Sequence, residues 1–236
     1  MVDLATVTNE LRTRALEVGD RATSLAFYRA VRLFLRTVLF RWLRLECVNR
    51  DGLRLEGPVV LAPVHRSNLD SALLGALADR RVRALGKESL FKPPVLRWVV
   101  AALGAIPVRR GTADREALAA SLDLLSRHEM MIVFPEGSRV SGDGVGELFD
   151  GTAWLAARSG ATVVPIGIAG TEQALPSGAK RLRRGRVVVV VGDPLLAPGG
   201  GSTERVPRDQ LRAFTAELRA ALGEAQADAA SRRGEK

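Results

Sequence analysis

From residue 58 onward, short apolar runs alternate with stretches whose apolar residues recur at helical spacing. Runs that are apolar throughout, rather than at every second position, are typical of strands buried on both faces of a sheet. The predicted strands are Pro58–Pro63, Val82–Gly86, Ile106–Val108, Met130–Pro135, Thr162–Ile168 and Arg186–Val191. The predicted helices are Leu69–Ala78, Pro94–Leu103, Asp114–Arg127, Glu147–Ser159 and Arg208–Gln226. This alternation predicts an α/β fold with a largely parallel central sheet covered by helices.

The N-terminal region differs, because it contains two helical stretches, residues 3–18 and residues 22–45. The second stretch has a basic side with Arg29, Arg32 and Arg36 and an apolar side rich in aromatic residues. This composition indicates a helix that lies in a membrane surface. A helix that packs on the core and leaves its basic face in water is the alternative. We therefore divide the chain into an N-terminal amphipathic membrane-association region (1–50), an α/β core (51–200) and a C-terminal helix and tail (201–236).

Composition narrows the class of protein only in part. The 236 residues are 47% hydrophobic and 26% charged, which is typical of a globular protein. The net charge of +9 indicates a polyanionic partner: nucleic acid, an anionic membrane surface or a phosphorylated substrate. Nucleic acid is disfavoured because no recognised binding motif is present. The single cysteine, Cys47, permits no internal disulfide, and no uncharged stretch is long enough to predict a transmembrane helix.

The first candidate for chemistry is the pair His65 and Asp70, which follows the strand that ends at Pro63. Ligand sites in parallel α/β sheets form beyond the carboxyl ends of the strands. If a helix begins at Leu69, Asp70 can fold back and accept the Nδ1–H of His65, which leaves Nε2 free to take a proton from a hydroxyl. The alternative is that Asp70 only complements the helix dipole and His65 is an ordinary turn residue.

Two further polar turns follow predicted strands. In the first, Glu136-Gly137-Ser138-Arg139, Gly137 allows close backbone approach to a ligand, Arg139 can bind a phosphate with two hydrogen bonds, and Glu136 can orient Arg139 or contact a substrate hydroxyl. The second ends in Arg109 and Arg110, of which we expect only one to face a site, because adjacent residues of a strand point to opposite faces. Each turn could equally be a plain surface turn.

Several site types are disfavoured by missing motifs. The sequence has no cluster of Cys and His that would indicate zinc, no Walker-type lysine loop and no Gly-x-Gly-x-x-Gly run. It also lacks the Gly-x-Ser-x-Gly elbow of α/β-hydrolases. We therefore expect no metal and no covalent serine nucleophile.

Taken in order, these segments resemble four sequence blocks of the glycerolipid acyltransferase family, which includes the lysophosphatidic acid acyltransferases. The resemblance covers roughly residues 57–192, and a lysine-containing stretch between the first two blocks is also similar. The matching segments are His65-x-Ser67-x-x-Asp70, Lys87-Glu88-Ser89-Leu90-Phe91, Gly104-x-Ile106-x-Val108-x-Arg110, Phe134-Pro135-Glu136-Gly137-Ser138-Arg139 and Val164-Pro165-Ile166-Gly167.

The resemblance implies a mechanism without a covalent enzyme intermediate. His65, oriented by Asp70, would deprotonate the hydroxyl of the acceptor, whose oxygen would then attack the thioester of acyl-CoA or acyl-carrier protein. The resemblance implies that the remaining positions bind the acceptor. Arg110 and Arg139 would bind its phosphate, and Gly137 and Ser138 would donate hydrogen bonds to it. Glu136 would belong to the same acceptor site, and Lys87 would add a positive charge nearby. Val164–Gly167 would be a structural strand that lines the acyl pocket.

The resemblance also implies partners and a location. The expected acceptor is lysophosphatidic acid, which would give phosphatidic acid, and the expected acyl donor is a co-substrate, so that no cofactor is needed. The alternatives are glycerol-3-phosphate or another lysophospholipid as acceptor, or a non-catalytic basic module that binds membranes. Because the lipid substrates reside in the bilayer, we expect a peripheral, monotopic protein on the cytoplasmic face of the cell membrane, attracted by anionic lipid.

Overall fold

An eight-stranded sheet lies at the centre of the computed structural model, which describes residues 4–109, 114–142, 144–179, 181–202 and 206–234, with side chains from residue 8 onward. The strand order is β1-β7-β6-β2-β5-β3-β4, and β8 pairs with β6 outside this path. The strands are β1 (Glu46–Val48), β2 (Val59–Pro63), β3 (Val82–Lys87), β4 (Ala105–Val108), β5 (Met130–Ile132), β6 (Thr162–Ala169), β7 (Val188–Val191) and β8 (Leu195–Leu196). The strands from β6 to β4 are all parallel, which confirms the predicted fold.

Two helical layers cover the sheet, and shorter helical turns connect them. The α-helices are α1 (Leu4–Asp20), α2 (Ala22–Phe34), α3 (Phe40–Trp42), α4 (Leu69–Leu77), α5 (Pro94–Ala102), α6 (Arg115–Ser126), α7 (Gly151–Ser159), α8 (Thr171–Ala174) and α9 (Arg208–Gly234). A π-helical segment, Leu35–Leu39, joins α2 to α3, and 3-10 turns occupy Arg50–Leu53 and Glu88–Phe91. Within the described ranges, no helix is both long and apolar enough to cross a membrane.

Alternate residues of β2 supply the two halves of the core. Val59 and Leu61 belong to a buried cluster with residues of α4 and of the segment 35–43. Val60 and Ala62 belong to the cluster on the other face, which includes residues of α6, α7 and α9. The strand is therefore buried on both faces, which explains why its sequence is apolar without alternation. The segment that follows β2 at its carboxyl end is held in the middle of the sheet.

Part of the basic side of the second helical stretch is bonded to the core, which corrects part of the prediction for residues 22–45. Arg36 donates to the carbonyl oxygens of Ala76 (2.6 Å) and Ala78 (2.9 Å) at the end of α4. Arg32 donates to the carbonyl oxygen of Asp79 at 3.0 Å. Cationic side chains at a helix C-terminus satisfy carbonyls that have no partner within the helix. Two of the three arginines therefore hold the helix to the core, while Arg29 is exposed, as are the apolar side chains of Leu33, Phe34 and Val38.

Three other boundaries differ from the predictions for physical reasons. Helix α7 begins at Gly151 rather than Glu147. The residues before it are held in a loop, because the N–H of Gly146 donates to the Glu136 carboxylate and the N–H of Phe149 donates to the carbonyl oxygen of Pro135. Helix α9 continues to Gly234, well past the predicted end at Gln226, because its last turns pack Ala229 against β7. Strand β1 adds Glu46–Val48 to the sheet, just before the predicted start of the core at residue 51.

Candidate active site

His65 and Asp70 meet at the carboxyl end of β2, as the spacing predicted. The Nδ1 atom of His65 lies 3.0 Å from Oδ2 of Asp70, and both side chains are buried. The same carboxylate oxygen accepts the backbone N–H groups of Arg66 and Ser67, each at 2.7 Å. Oδ2 acts as an acceptor in both of these bonds, so we assign the proton of its contact with His65 to Nδ1. This tautomer leaves Nε2 as the unprotonated nitrogen of the ring.

The backbone and the ring of His65 are fixed by the segment that follows β5. Its N–H donates to Oε2 of Glu136 at 2.8 Å, and its carbonyl oxygen accepts the N–H of Val140 at 3.0 Å. The ring stacks on Phe134, with 3.8 Å between the ring centroids and 22° between the planes. The first and third sequence blocks therefore form one rigid unit around the histidine.

The carboxylate of Glu136 is bonded to two separate backbone segments. Its side chain is completely buried, and its second oxygen, Oε1, accepts the N–H of Gly146 at 2.8 Å. Both oxygens are therefore occupied by backbone donors, one from the histidine turn and one from the glycine-rich loop 140–146. The burial and these two bonds support a positioning role for Glu136 at His65, and the contact with an acceptor that the resemblance implied stays a prediction.

Arg66 is a site residue that the sequence reasoning missed. Its guanidinium group is buried and donates to the carbonyl oxygens of Val140 (2.9 Å) and Gly144 (2.5 Å). It lies 3.9 Å from Oε1 of Glu136 as well. These contacts tie the glycine-rich loop to the histidine turn. The position beside His65 gave no signal, because an arginine in a polar turn is normally exposed.

The other residues of the Glu136–Arg139 turn lie at the surface. Gly137 has a φ of +65°, and a Cβ at this position would lie 3.2 Å from the ring of Phe149. The N–H of Ser138 is used within the turn, where it donates to the carbonyl oxygen of Glu136 at 2.7 Å. The Ser138 hydroxyl and the Arg139 guanidinium are exposed at the edge of the sheet where His65 lies. They can therefore reach a ligand that arrives from solvent.

Arg110, a predicted phosphate ligand, lies outside the described residues. Its neighbour Arg109 is tied to Asp114, whose Oδ2 accepts the Arg109 N–H at 2.9 Å and lies 3.0 Å from the guanidinium of Arg12 on α1. Burial alone would raise the pKa of Asp114, but the N–H groups of Arg109 and Ala117 and the charge of Arg12 together lower it below its ordinary value. The guanidinium of Arg109 also lies near Asp114, with Nε 3.7 Å from Oδ2.

A cavity of about 520 Å³ opens beside His65 and runs along β3 between α2 and α4. Lys87, at the end of β3, and Phe134 line it near the histidine, and most of the other lining atoms are apolar. At the start of β3, the Tyr28 hydroxyl donates to the carbonyl oxygen of Gly75 and accepts the N–H of Val82. From Val82 to Lys87 the strand spans about 17 Å. Lys87 lines the same cavity as His65, so it lies near the proposed pair, as expected. Val164–Gly167 is not part of the cavity lining.

The single cysteine of the sequence does not compete with this site. Cys47 lies on β1, far along the sheet from β2, and burial raises the pKa of its thiol to about 11. A thiol with such a pKa is almost entirely protonated at neutral pH.

Comparisons with known proteins find acyltransferases. The sequence profile of the Acyltransferase family matches residues 44–169. A chloroplastic 1-acyl-sn-glycerol-3-phosphate acyltransferase of Arabidopsis thaliana is 28% identical over 155 residues, which are 63% of this chain and 43% of that protein. A 1-acyl-sn-glycerol-3-phosphate acyltransferase of Chlamydomonas reinhardtii is 34% identical over 139 residues, 57% of this chain and 41% of the relative. The chain thus aligns with less than half the length of these two relatives.

A solved structure shows the same fold. It is the crystal structure of the 1-acyl-sn-glycerophosphate acyltransferase from Thermotoga maritima, with a TM-score of 0.67 and 21% sequence identity. The superposition covers 94% of this chain and 88% of that chain. It therefore includes the N-terminal helices and α9 in addition to the part matched by the family profile.

Proposed function

The chain belongs to the acyltransferase family, and from this premise we propose that it transfers a fatty acyl group from a thioester to the free hydroxyl of lysophosphatidic acid. The product would be phosphatidic acid. The observation that carries the proposal is the His65–Asp70 pair at the mouth of an apolar cavity. A general base beside a cavity for a hydrocarbon chain is the arrangement that acyl transfer between lipids requires.

The proton transfer follows from the tautomer of His65. Nε2 takes the proton of the acceptor hydroxyl while the oxygen attacks the thioester carbonyl carbon, and Asp70 stabilises the imidazolium that forms. When the tetrahedral intermediate collapses, the C–S bond breaks and the leaving thiolate takes the proton from Nε2. The new C–O bond completes the ester, and His65 returns to its starting state. No covalent bond to the protein forms, so no nucleophilic side chain is needed.

The cavity along β3 takes the acyl chain in this proposal. Its lining is apolar over most of its length, and each buried methylene group contributes about 0.8 kcal/mol. The hydrogen-bonded Tyr28 lies at the start of β3, away from His65. The acyl carbonyl would then sit beside His65 with the chain directed toward α2.

The phosphate of the acceptor is assigned to cationic side chains at the exposed edge. Arg139 follows β5 and Lys87 ends β3, and because these strands are parallel neighbours, both charges lie at the carboxyl end of the sheet. Ser138 can add a hydroxyl donor beside them, and we assign Arg110 to the same phosphate. Guanidinium groups bind phosphate oxygens in pairs, which fixes the orientation of the acceptor hydroxyl toward the histidine.

Membrane association is part of the proposal because large apolar side chains are exposed together. Leu33, Phe34, Val38 and Trp42 are 64%, 59%, 51% and 47% exposed along one helical stretch. Trp98 of α5, which is itself 40% exposed, packs against Phe27 of α2 with 5.0 Å between ring centroids, so the apolar surface continues onto α5. An apolar surface of this kind on a basic protein fits the cytoplasmic face of an anionic bilayer, where the lipid acceptor resides.

The membrane proposal is tested by flotation with vesicles that contain anionic lipid. Replacing Phe34, Val38 and Trp42 together by glutamine should reduce the protein recovered with the vesicles. Leu196→Gln is the matched control, because Leu196 is 76% exposed on β8, away from the helical surface. Equal recovery of the triple variant and the control variant would contradict the proposal.

The enzymatic proposal is tested by an acceptor screen with one labelled long-chain acyl group, supplied both on CoA and on acyl-carrier protein, and by identification of the lipid product. The panel contains lysophosphatidic acid, glycerol-3-phosphate and other lysophospholipids. Wild-type protein should acylate lysophosphatidic acid at the highest rate, and His65→Ala should lose transfer while it keeps its circular dichroism spectrum and its vesicle binding. Turnover by His65→Ala at the wild-type rate, or no thioester-dependent product with any acceptor, would refute the proposal.

A further inference from the structure

The segment between α8 and β7 concentrates positive charge that the proposed site does not use. Residues 181–186 include four arginines, and no acidic residue occurs between Glu172 and Asp193. Arg186 is paired with Glu46 at 2.8 Å, whereas Arg181, Arg183 and Arg184 are exposed. In the part of the chain that the structure describes, these three make no hydrogen bond or ion pair through their side chains. We call Arg181, Arg183 and Arg184 the arginine trio.

Two hydrogen bonds hold this segment close to the histidine turn. The Ser67 hydroxyl donates to the carbonyl oxygen of Leu175 at 2.9 Å, and the N–H of Arg183 donates to the carbonyl oxygen of Ala174 at 2.8 Å. Leu182 packs on the buried core cluster, so the arginines on either side of it are anchored to the fold. The trio therefore lies beyond the carboxyl end of β6, on the side of His65 opposite to the cavity along β3.

The position of the trio matches one part of a thioester donor. If the acyl chain lies along β3 and the acceptor phosphate lies by Arg139, the carrier end of the donor must leave His65 in the remaining direction, over β6. We infer that the trio is the docking surface for an acidic acyl-carrier protein, which presents the thioester on a phosphopantetheine arm. This inference rests on the proposed acyl transfer and names the carrier that the transfer uses.

The surface favours a protein over a nucleotide or a membrane. None of the three arginines lines the cavity at His65, and free nucleotides are bound in concave pockets. The segment also exposes no large apolar side chain, because its Leu182 is turned into the core, and a membrane anchor needs apolar contacts in addition to charge. Exposed charges of one sign suit an acidic protein face, which they attract and orient.

The test measures equilibrium binding of holo acyl-carrier protein without an acyl group to the full chain on a sensor surface. Arg181→Gln, Arg183→Gln and Arg184→Gln are combined in one variant. The matched control combines Arg127→Gln, Arg208→Gln and Arg212→Gln, which remove the same charge from exposed sites at the end of α6 and the start of α9. Binding to the trio variant should weaken about tenfold, since exposed pairs contribute little each and three act together. Control binding should stay at the wild-type value, and wild-type affinity should fall as salt is raised.

Two parallel arms use CoA and vesicles of anionic lipid as the ligand. Unchanged carrier-protein binding by the trio variant, or equal losses in the trio and control variants, would overturn the inference. A loss specific to CoA would assign the trio to nucleotide phosphates, and a loss specific to vesicles would assign it to lipid, so either result also overturns it. Because binding is measured without turnover, a protein that binds the carrier but transfers no acyl group refutes the proposed function alone.

Discussion

Replacing Glu136 by alanine should destabilise the fold and slow the proposed reaction while leaving acceptor binding unchanged. The carboxylate accepts the N–H groups of His65 and Gly146, each at 2.8 Å, in a fully buried position. Alanine leaves both N–H groups without an acceptor, at a cost of about 1–3 kcal/mol each. In a chain of this size, each kcal/mol lowers Tm by roughly 2–4 °C, so the expected decrease is on the order of 10 °C. Glutamine keeps one acceptor oxygen and should lose about half as much.

Thermal unfolding followed by circular dichroism measures the first effect, and steady-state kinetics with varied acceptor concentration measures the second. We expect kcat to fall, because the backbone of His65 is no longer held in place, while KM for the acceptor stays within about twofold of wild type. Glu147→Gln is the matched control, since Glu147 is exposed in the neighbouring loop, and it should change neither Tm nor kcat. An unchanged Tm together with a raised KM for the acceptor would show that Glu136 binds the acceptor, and it would refute the role of Glu136 in positioning His65.

Three further predictions concern other contacts. Asp70→Asn should lower kcat by about 10²-fold or more, because the buried partner of Nδ1 is altered; thioester cleavage that depends on acceptor measures this, and a rate near wild type would contradict it. Gly167→Ala should lower Tm strongly, since its Cβ would lie 2.2 Å from the carbonyl oxygen of Ala225 on α9, whereas Gly223→Ala, in open space on the same helix, should raise stability by about 0.5–1 kcal/mol. Asp114→Asn should lower the free energy of unfolding at pH 7 and reduce the further loss of stability in acid. Because the pKa of Asp114 is lowered in the folded protein, this carboxylate stabilises the fold fully above its ordinary pKa of about 3.9, and the stabilisation is lost as the pH falls below that value. Urea unfolding midpoints of the variant and the wild type at pH 7 and pH 3 measure the difference.

The sheet and the histidine pair could be predicted because both depend on local pattern. A run such as Val59–Pro63 is buried on both faces, so its apolar composition marks a central strand without further information. His65 and Asp70 are five residues apart across a strand-to-helix turn, and so short a segment leaves few ways for their side chains to be arranged. Strands β1 and β8 were missed because two or three residues at the margin of a sheet carry too little pattern.

The directions of polar side chains could not be predicted, because they depend on segments far apart in the chain. Glu136 is bonded to His65, 71 positions away, and Arg66 is bonded to Gly144, 78 positions away. In the same way, Arg36 was assigned to an exposed basic face, whereas the carbonyl groups that it binds belong to α4. Residue types and spacing identify which side chains are capable of catalysis or binding. The packing decides which of them face a substrate and which stabilise the fold.

The mutual bonding of the histidine turn and the loop 136–146 has a consequence for protein engineering. Glu136 and Val140 form hydrogen bonds with the backbone of His65, and the side chain of Arg66 donates hydrogen bonds to the backbone of the loop. In a chimera that takes only one of the two segments from a relative, the donors and acceptors of the retained segment would face a backbone whose conformation differs from the one they bind here. Segment exchange, library design and loop grafting on this scaffold should therefore treat residues 65–70 and 134–146 as a single cassette, replaced together or left alone.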